Sequence, residues 1–425
     1  MRITYLVHGF VPYENAGTEQ HCALLREYFI REGHQVQVIS ATRAIGKLHG
    51  HTFKEGSINP ILRIVNNIPS RPLEQCEVDA NITEIVEQAI EEFQPDVVHV
   101  HHIQFLSSNI RFTQPSLFTF HDAWMWCPSG GTLFRYPHLK ACSNPTPKDC
   151  AHCYAHWRPQ PSSVGNILIQ LAQYLQPLIS SRRLHQLWKK IPSIIRKPIA
   201  QEKQQPKLES EKALQKRNQA MNNFLKQINI LISPSNFLAE SVRKQFNRQV
   251  TVIRHGVEDK RPHIGGNGLV YIGTMAHHKG VTIIEEAYLL AFPQKEIAIC
   301  FYGTGPVSVN LPVGGPLTRA EVLNALQHAD ALVMGSLWYE NAPMIISEAR
   351  AMGCPIIAPN IGGIPELIED GLDGLLYPAG DTIALAQAMK VILMRTWQPT
   401  VPTSMTEMMT TYTNLYHQLC TKSEP

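Results

Sequence analysis

The sequence predicts an α/β protein of two domains, each built on a parallel, doubly wound sheet. Two observations lead to this fold class. Short apolar strands alternate with helical patterns along most of the chain, which is typical of parallel sheets covered by helices on both faces. In addition, the 425 residues exceed what one ordinary core accommodates, and the alternation restarts near residue 245.

The first domain is predicted over residues 1–240. Its first strand, RITYLVHGF (2–10), is followed by a loop and a helical pattern through Leu24, Leu25 and Phe29. Amphipathic helices are expected at ITEIVEQAIEEF and NFLAESVRKQF. Further strands are expected at HQVQVIS (34–40), DVVHVHH (96–102), SLFTFHD (116–122) and INILISPS (228–235).

The second domain is predicted over residues 241–395. Its strands are expected at QVTVIRHG, GLVYIGT, EIAICFYGTG, ADALVMGS and CPIIAPN, with helices between them. In the remaining residues, 396–425, the stretch MTEMMTTYTNLYHQLCTK predicts a terminal helix.

Residues 154–227 interrupt the first domain with a helical, basic insertion that contains no strand-like run. The part from Ser180 to Arg217 holds eleven Lys or Arg against three Glu. This composition fits a solvated helical excursion, or a surface that binds anionic lipid headgroups through cations while leucines and Trp188 add apolar contact. Nucleic acid fits less well because no aromatic platform is interleaved with the charges.

Composition indicates a globular, water-exposed protein, with 44% hydrophobic and 17% charged residues and a net charge of +3. That charge is too small to indicate nucleic-acid binding. No run of about 18 apolar residues predicts a spanning helix, and the N-terminal stretch lacks the pattern of a secretory signal. Nine cysteines, an odd count, favour reduced thiols. We therefore expect a cytoplasmic protein, either free or peripheral on the inner face of the membrane.

The stretch YENAPMIISEA (339–349) places Glu340 and Glu348 on either side of a predicted helix start at Pro343. The free N–H groups of the first helical turn lie between the two carboxylates. Two acceptors and a row of donors suit a ligand rich in hydroxyl groups. The same residues also fit a plain helix with one acid favoured by the dipole and one solvated acid.

Ligands of doubly wound sheets bind beyond the carboxyl ends of the strands, so we followed each strand to its end. There the sequence places the loop NAGTE, the pair His121 and Asp122, the stretch YIGTMAHHKG, the turn FYGTGP, and the stretch NIGGIPELIEDGLDG. Glycines permit close approach to a ligand, and we expect Gly362 and Gly363 to leave a following helix N-terminus near Pro365 open. Lys279 can hold a diphosphate as a point charge.

With these residues, nearly the whole chain resembles family 4 of the retaining glycosyltransferases, which have the GT-B fold. The strongest likeness is residues 336–376, which resemble that family's E-x7-E motif and the Gly-Gly-x-Pro-Glu and Asp-Gly-x-x-Gly stretches after it. NAGTE resembles the Gly-Gly-x-Glu loop, TFHDAWMWCP the strand ending in His-Asp, and YIGTMAHHKG the Gly-Arg-Leu…Lys-Gly stretch. YTNLYHQL resembles the final helix, which in such folds crosses back to the first domain.

The resemblance implies two facing Rossmann-like domains and transfer of a sugar from a nucleotide donor to a glycan or lipid-linked acceptor, with retention. It implies catalytic roles for His121, Lys279 and Glu340, and an acceptor side at Glu19 and Asp122. No cofactor is expected in the active site, since Lys279 and helix N-termini would stabilise the leaving diphosphate. The donor-binding residues it implies are Gly17, Gly273, Thr274, Lys279, Gly303, Ala342, Met344, Ile345 and Glu348.

Two departures from the family pattern stand out. The Arg usual after the Gly of Gly-Arg-Leu is replaced by Thr274, so one of two expected cations is missing; His255, His277 or His278 would have to assist. Only about ten residues separate FYGTGP from PLTRAEV, where the family usually has another helix and strand. The second sheet is therefore expected to be one element short.

Four cysteines lie close together, just after His121 and Asp122, with the spacing C-x14-C-x7-C-x2-C. One C-x2-C pair plus two further thiols in a Pro- and Gly-rich loop fits a structural zinc site. Four ordinary thiols, two disulfides or iron–sulfur ligation are the alternatives. The predicted ligands are Cys127, Cys142, Cys150 and Cys153.

The function predicted from the sequence is thus a retaining glycosyltransferase of surface polysaccharide or glycoconjugate biosynthesis. Two alternatives remain open at this point. One is a catalytically degenerate binding protein, indicated by Thr274 and the shortened sheet. The other is a sugar-nucleotide epimerase or a phosphorylase on the same fold, although epimerases lack E-x7-E and phosphorylases need a pyridoxal cofactor.

Overall fold

The structure is a computed structural model, and it describes residues 1–14, 16–44, 47–67, 73, 77–143, 145–157, 211–257, 260–398 and 400–421. Two sheets organise these residues. Each is flanked by helices on both faces, as the alternation of strands and helices predicts.

The first sheet has eight strands in the order β10-β9-β6-β5-β1-β2-β4-β3, all parallel to their neighbours except the edge strand β3. Their inner residues are buried on both faces, which explains why strands such as RITYLV are apolar almost throughout. The strands are β1 (Arg2–Val7), β2 (Gln35–Thr42), β3 (Thr52–Glu55), β4 (Ile61–Val65), β5 (Val97–Val100), β6 (Ser116–Thr119), β9 (Ile230–Ser233) and β10 (Val250–Val252). A separate hairpin consists of β7 (Phe134–Arg135) and β8 (Lys140–Ala141).

Helices of this half carry an apolar stripe, and the second and fifth also begin at a side-chain cap. In the second of them, Asp79 accepts a hydrogen bond from the N–H of Ile82, and the residues spaced three or four apart face the sheet. It ends where Gln94 adopts a left-handed conformation. The described helices are α1 (Gly17–Arg31), α2 (Ala80–Phe93), α3 (Pro147–Trp157), α4 (Glu211–Leu225) and α5 (Asn236–Phe246).

The second sheet is fully parallel, with the order β13-β12-β11-β14-β15-β16. Its strands are β11 (Leu269–Ile272), β12 (Ile299–Tyr302), β13 (Val313–Gly314), β14 (Ala331–Val333), β15 (Ile356–Pro359) and β16 (Gly374–Tyr377). Its helices are α6 (Val281–Ala291), α7 (Arg319–His328), α8 (Met344–Ala351) and α9 (Thr382–Ile392).

The final helix, α10 (Met405–Thr421), packs on the first sheet. Its Met408, Tyr412 and Tyr416 lie in one cluster with the sheet residues Tyr5 and Val97. The Tyr416 hydroxyl is also 2.7 Å from the Nδ1 of His99, so the chain returns to its first half at the end.

The strand that we assigned to the start of the second domain belongs to the first sheet. β10 pairs in parallel with β9, from Val250↔Leu231 to Val252↔Ser233. The first sheet therefore extends beyond residue 240, where the domain boundary was predicted. The sequence pattern misleads here because β10 follows α5 as any α/β strand would, whichever sheet it joins.

The segment between β12 and β13 is short, as expected, and among its described residues it contains no helix. A strand is nevertheless retained as the two residues of β13, which pair with Phe301 and Tyr302. The family's additional helix is thus absent from the described residues of this segment, as predicted, whereas its additional strand is present in short form.

Sequence reasoning missed the strands β3 and β4 because Arg63 interrupts the apolar run of β4. That side chain is nevertheless buried: its guanidinium donates to the carbonyls of Phe10 and Val11 and pairs with Glu55. A buried Arg satisfied in this way is compatible with a central strand.

Most of the predicted basic insertion, residues 158–210, lies outside the described residues, and so does most of the basic segment 180–217. Arg217, which we counted with that segment, is buried. It donates to the Trp124 carbonyl at 2.7 Å and lies 4.7 Å from the centre of the Trp124 ring. It therefore does not belong to a cationic surface.

Candidate active site

The centre of the site lies where the strand order of the second sheet reverses. β11 has β12 on one side and β14 on the other. In doubly wound sheets the loops that follow two such strands diverge and leave a crevice. Lys279 ends the turn after β11 and Glu340 lies in the extended segment after β14, so the topology brings the two residues together.

Lys279 and Glu340 form a close ion pair. The Lys279 Nζ donates to Oε1 of Glu340 at 2.6 Å, and the two side chains are 24% and 6% exposed. The same oxygen accepts from the Ser336 hydroxyl and the Trp338 indole, each at 2.8 Å. Burial alone would raise the pKa of Glu340, but Lys279 and these hydrogen bonds hold the pKa below its ordinary value. Glu340 is therefore a carboxylate with one oxygen fully engaged.

A glycine fixes the turn that carries Lys279. Gly280 has a φ of +63°, and a Cβ built there would lie 1.8 Å from the carbonyl oxygen of Gly335. The turn thus packs directly on the backbone that follows β14, which explains the Lys-Gly pair in the sequence.

Helix α8 begins at Met344, directly after Pro343, as predicted. Its first N–H groups lack intrahelical partners and lie between the two glutamates of the motif. Glu348 is half-buried, and its carboxylate accepts no hydrogen bond from any residue that the structure describes. Burial raises its pKa, with Arg319 acting in the opposite direction. Glu348 is thus a carboxylate available to a ligand's hydroxyl groups.

Gly362 and Gly363 have a different role from the predicted one. The N–H of Gly363 donates to the Glu340 carbonyl at 2.7 Å, and a Cβ on Gly363 would lie 1.8 Å from the Asn341 carbonyl oxygen. A single 3-10 turn, Ile364–Glu366, follows them. The pair therefore lets the Glu340 loop pack closely, and a 3-10 turn stands where a helix with an open N-terminus was predicted.

The other predicted donor glycines lie around this centre. A Cβ on Gly303 would lie 1.8 Å from the Gly273 carbonyl oxygen, so Gly303 supports the loop after β11. Gly17 starts α1 in the first domain, and the nearest atom to its Cβ position is the Met344 Sδ at 4.0 Å. The N-termini of α1 and α8 therefore approach each other, and both favour an anion between them.

Thr274 is exposed beside Gly273, and its carbonyl accepts from the Tyr271 hydroxyl at 2.7 Å. Three histidines were expected to assist in place of the missing Arg, and two of them, His255 and His278, carry no positive charge. Burial lowers the pKa of His255 and of His278 to about 4. Both are neutral near pH 7, so any assistance from them would come through hydrogen bonds and not through charge. His277 is exposed.

In the first domain, His121 follows β6 and belongs to a group of stacked imidazoles. Its Nε2 is 3.2 Å from the Nδ1 of His101, and its ring lies parallel to that of His255 at 6.2 Å. Burial and these neighbours lower the pKa of His121 well below its ordinary value, so the ring is neutral. The buried Nε2 of His101 has no hydrogen-bond partner among the residues that the structure describes. Because an orphaned N–H is rarer than an orphaned acceptor, the arrangement favours a proton on the Nδ1 of both rings.

The two predicted acceptor residues are largely engaged within the protein. Glu19 is 3% exposed, pairs with His8 at 3.0 Å and accepts from the N–H of Ala16, closing the start of α1. Asp122 accepts from the N–H of Trp124 at 2.8 Å and lies 3.6 Å from the Nε2 of His102. Glu19 shapes the loop rather than facing the cleft, whereas Asp122 is still partly exposed, at 27% of its side chain.

Sequence reasoning missed several polar residues that hold this arrangement. Ser336 and Trp338 orient Glu340, and Asn341 donates through its amide to the His121 carbonyl at 2.6 Å, across the two domains. Glu366 joins the domains as well: it accepts from the N–H groups of Asn236 and Phe237 at the start of α5. Ser336, Trp338 and Asn341 lie within four residues of Glu340 in the sequence, and this proximity was the signal that could have identified them.

The four cysteines of the predicted metal site line a single small cavity beside this centre. Among the described residues, no three metal-binding side chains are already placed to hold an ion.

Comparison with known families gives matches to both halves of the chain. A model of the Glycosyltransferase Family 4 matches residues 16–155, and a model of the Glycosyl transferases group 1 matches residues 266–395. Together they include the loop of Gly17, the His121 strand, the Lys279 turn and both glutamates of the E-x7-E stretch.

The sequence is also similar to curated glycosyltransferases. It is 28% identical to a glycogen synthase of Mycobacterium tuberculosis over 206 residues, 43% of this chain and 50% of that protein. It is 29% identical to the alpha-D-kanosaminyltransferase of Streptomyces kanamyceticus over 153 residues, 33% of this chain and 38% of that protein. The matched region thus spans half or less of each relative.

Solved structures resemble the whole chain at low identity. The sucrose-phosphate synthase of Thermosynechococcus elongatus superposes with a TM-score of 0.62 at 15% identity, covering 99% of this chain and 100% of that one. The HepE protein of Anabaena, solved with UDP and glucose, gives 0.53 at 13% identity, with 98% and 95% covered. These likenesses show the GT-B fold. With both family models matched on that fold, the chain belongs to the group 1 glycosyltransferases of family 4.

Proposed function

We propose that this protein transfers a sugar from a nucleotide-sugar donor to a glycan or lipid-linked acceptor, with retention at the anomeric carbon. The observation that carries the proposal is the Lys279–Glu340 pair at the reversal point of the second sheet, together with the unengaged carboxylate of Glu348 about one turn inside the helix that follows. This arrangement offers a cation for a diphosphate and an acceptor for a vicinal diol.

In this proposal the donor lies along the start of α8. Glu348 accepts hydrogen bonds from the ribose hydroxyls, and the N–H groups at Ala342, Met344 and Ile345 hold diphosphate oxygens and sugar hydroxyls. Lys279 neutralises charge that grows on the diphosphate as the glycosidic bond breaks. Because three donors occupy Oε1 of Glu340, its Oε2 is the atom left for a sugar hydroxyl.

The neutral state of His121 changes its predicted role. An uncharged imidazole stabilises developing charge only through its dipole, and its Nδ1–H is suited to donate to a sugar oxygen. Retention then follows if the acceptor attacks from the face that the diphosphate leaves, with a phosphate oxygen taking the acceptor's proton. The transfer thus rests on positioning and electrostatics.

A panel of nucleotide sugars tests the proposal without knowledge of the acceptor. Pure protein should hydrolyse one donor slowly, releasing the nucleoside diphosphate, and the released sugar should first appear with the donor's anomeric configuration in an NMR time course. Release with the opposite configuration would contradict retention. An absence of turnover with every donor would contradict the proposal that the protein is an enzyme.

A catalytically degenerate binding protein is the second candidate, and Thr274 is the observation that favours it. With His255 and His278 neutral, these two neighbours do not replace the missing cation. Tight binding of a nucleoside diphosphate, combined with no donor turnover at all, is the outcome specific to this candidate.

A lipid-linked acceptor would place the enzyme at a membrane surface. Within the described ranges, no helix has the length and apolarity needed to cross a bilayer. We propose that the basic segment 180–217, without the buried Arg217 and mostly outside those ranges, binds anionic headgroups reversibly, at about 1 kcal/mol per engaged cation. Liposome flotation should recover the protein with anionic vesicles, less at high salt; equal recovery with neutral vesicles would contradict this.

A further inference from the structure

The four cysteines after the His121 strand come from three different elements. Cys127 lies in the turn after β6, Cys142 directly follows β8, and Cys150 and Cys153 lie one turn apart on α3. In spite of this separation, all four line one small cavity. None of them forms a disulfide. Four free thiols around one space are the ligand set of a closed structural zinc site.

Hydrogen-bond donors lie beside Cys153, although burial raises the pKa of the Cys127 and Cys150 thiols to about 12. The Cys153 Sγ is 3.3 Å from the backbone nitrogen of Tyr136 and 3.3 Å from the Ser129 hydroxyl, and both groups can donate to it. At Cys127 burial raises the pKa, and the neighbouring backbone N–H groups of Leu133 and Ser129 act in the opposite direction. Such hydrogen bonds to sulfur stabilise the charged form and orient metal ligands.

The positive charge nearest the cavity comes from Arg135. It makes a hydrogen bond with Cys142 and pairs with Asp149 at 3.0 Å. A zinc ion with four thiolates carries a net charge of about −2, so a neighbouring guanidinium stabilises the bound state.

The turn of residues 123–127 packs in the main core cluster of the first domain, but the hairpin and α3 have few stabilising contacts of their own. The hairpin consists of two strands of two residues each, and α3 shares only a small apolar cluster with α4. A hairpin of that size is not stable on its own in water. A cross-link among the hairpin, the turn and the helix would fix all three at once.

We propose that Cys127, Cys142, Cys150 and Cys153 bind one structural Zn²⁺. As the ion binds, the four thiols lose their protons to solvent and their side chains turn toward the cavity, because no three of them are yet in ligating positions. A tetrahedral site of four thiolates leaves no open coordination position, so the ion has no direct part in the transfer reaction.

The loop connects the proposed ion to the active site. Phe134, in the hairpin, packs edge-on against His278 at 6.2 Å, and His278 packs against Trp338 at 5.1 Å. Trp338 in turn donates to Glu340. The ion therefore holds in place the surface of the first domain against which the Lys279–Glu340 pair is set.

Elemental analysis of protein purified without added metal tests the proposal first. About one zinc per chain is expected. A mercurial reagent that titrates thiols should release that zinc as four thiols react. A metal-sensitive dye measures the released zinc. Bound iron with visible absorption would contradict the zinc assignment and indicate an iron–sulfur cluster. A protein mass lower by about two or four hydrogens would contradict it and indicate disulfides.

Variants give an independent test. Cys150→Ser and Cys153→Ser should each lose most of the bound zinc, whereas Cys420→Ser, a matched change outside the loop, should retain it. Zinc content equal to wild type in both loop variants would overturn the assignment. If the loop variants do not fold, the titration of the wild-type protein still decides: a metal-free chain whose four loop thiols react freely has no such site.

Discussion

At the residue scale, the site depends on the different states of its two glutamates. Glu340 is buried and accepts three hydrogen bonds through one oxygen, whereas Glu348 accepts none from the described residues. Glu340 is therefore held in place by the protein with only its Oε2 left for a ligand, whereas the carboxylate of Glu348 gains all its partners from a ligand.

Glu348→Gln should weaken binding of the nucleoside diphosphate. An amide accepts at one oxygen only and carries no charge, so the loss should be about 1.5–3 kcal/mol, or roughly 10- to 150-fold in Kd. Calorimetric titration measures it, with Glu286→Gln on the exposed face of α6 as the control. Equal affinity in the Glu348 variant and wild type would show that this residue does not bind the ribose.

At the element scale, glycines determine how the loops of the site pack. Gly363 lies against the backbone of Asn341, while the space around Gly17 is open except for Met344 Sδ at 4.0 Å. Both glycines lie in loops that the sequence predicts to contact a ligand. Only Gly17 has a geometry that fits that role.

Gly363→Ala should destabilise the protein, because the added Cβ would lie 1.8 Å from the Asn341 carbonyl oxygen and would displace the Glu340 loop. Overpacking of this kind typically costs about 1–3 kcal/mol. Gly17→Ala is the matched comparison: its stability should equal wild type, while donor affinity should fall. Denaturant unfolding of both proteins decides, and an unchanged stability of Gly363→Ala would refute the packing role.

The elements themselves were largely predictable from the sequence, since apolar runs and amphipathic periods are local signals. The strand expected within 228–235 is β9 (Ile230–Ser233), and the expected terminal helix is α10 (Met405–Thr421). The predictions that failed depend on non-local contacts. Nothing in the sequence of Val250–Val252 shows which sheet the strand joins. The strand that contains Arg63 was missed because the burial of this side chain depends on carbonyls of a distant loop. In the same way, the motif located Glu340, but the partners Ser336, Trp338 and Asn341 emerged only from the three-dimensional arrangement.

At the scale of the whole molecule, a group of buried, neutral histidines lies in the first domain. Burial lowers the pKa of His99 to about 3 and that of His255 to about 4, and it also lowers those of His21, His101 and His121. Unfolding restores their ordinary pKa near 6.5. The unfolded chain therefore binds more protons than the folded one below that pH.

The protein should accordingly lose stability as the pH falls from about 7 to about 5. Each such histidine contributes a slope of about 1.4 kcal/mol per pH unit over the range between its two pKa values. His8 acts in the opposite direction, because Glu19 raises its pKa in the folded state despite burial, but it is one residue against several. Thermal unfolding at pH 7, 6 and 5 measures the trend; a melting temperature that stays constant or rises on acidification would be inconsistent with neutral buried rings.

The central claim, that Lys279 stabilises a departing nucleoside diphosphate, is tested most directly by steady-state kinetics of Lys279→Ala on the donor that wild type turns over. Because the charge grows in the transition state, kcat should fall on the order of 10²–10³-fold, with a much smaller change in nucleotide Kd. Lys390→Ala, an exposed change on α9, should match wild type. An unchanged kcat in Lys279→Ala would contradict the account.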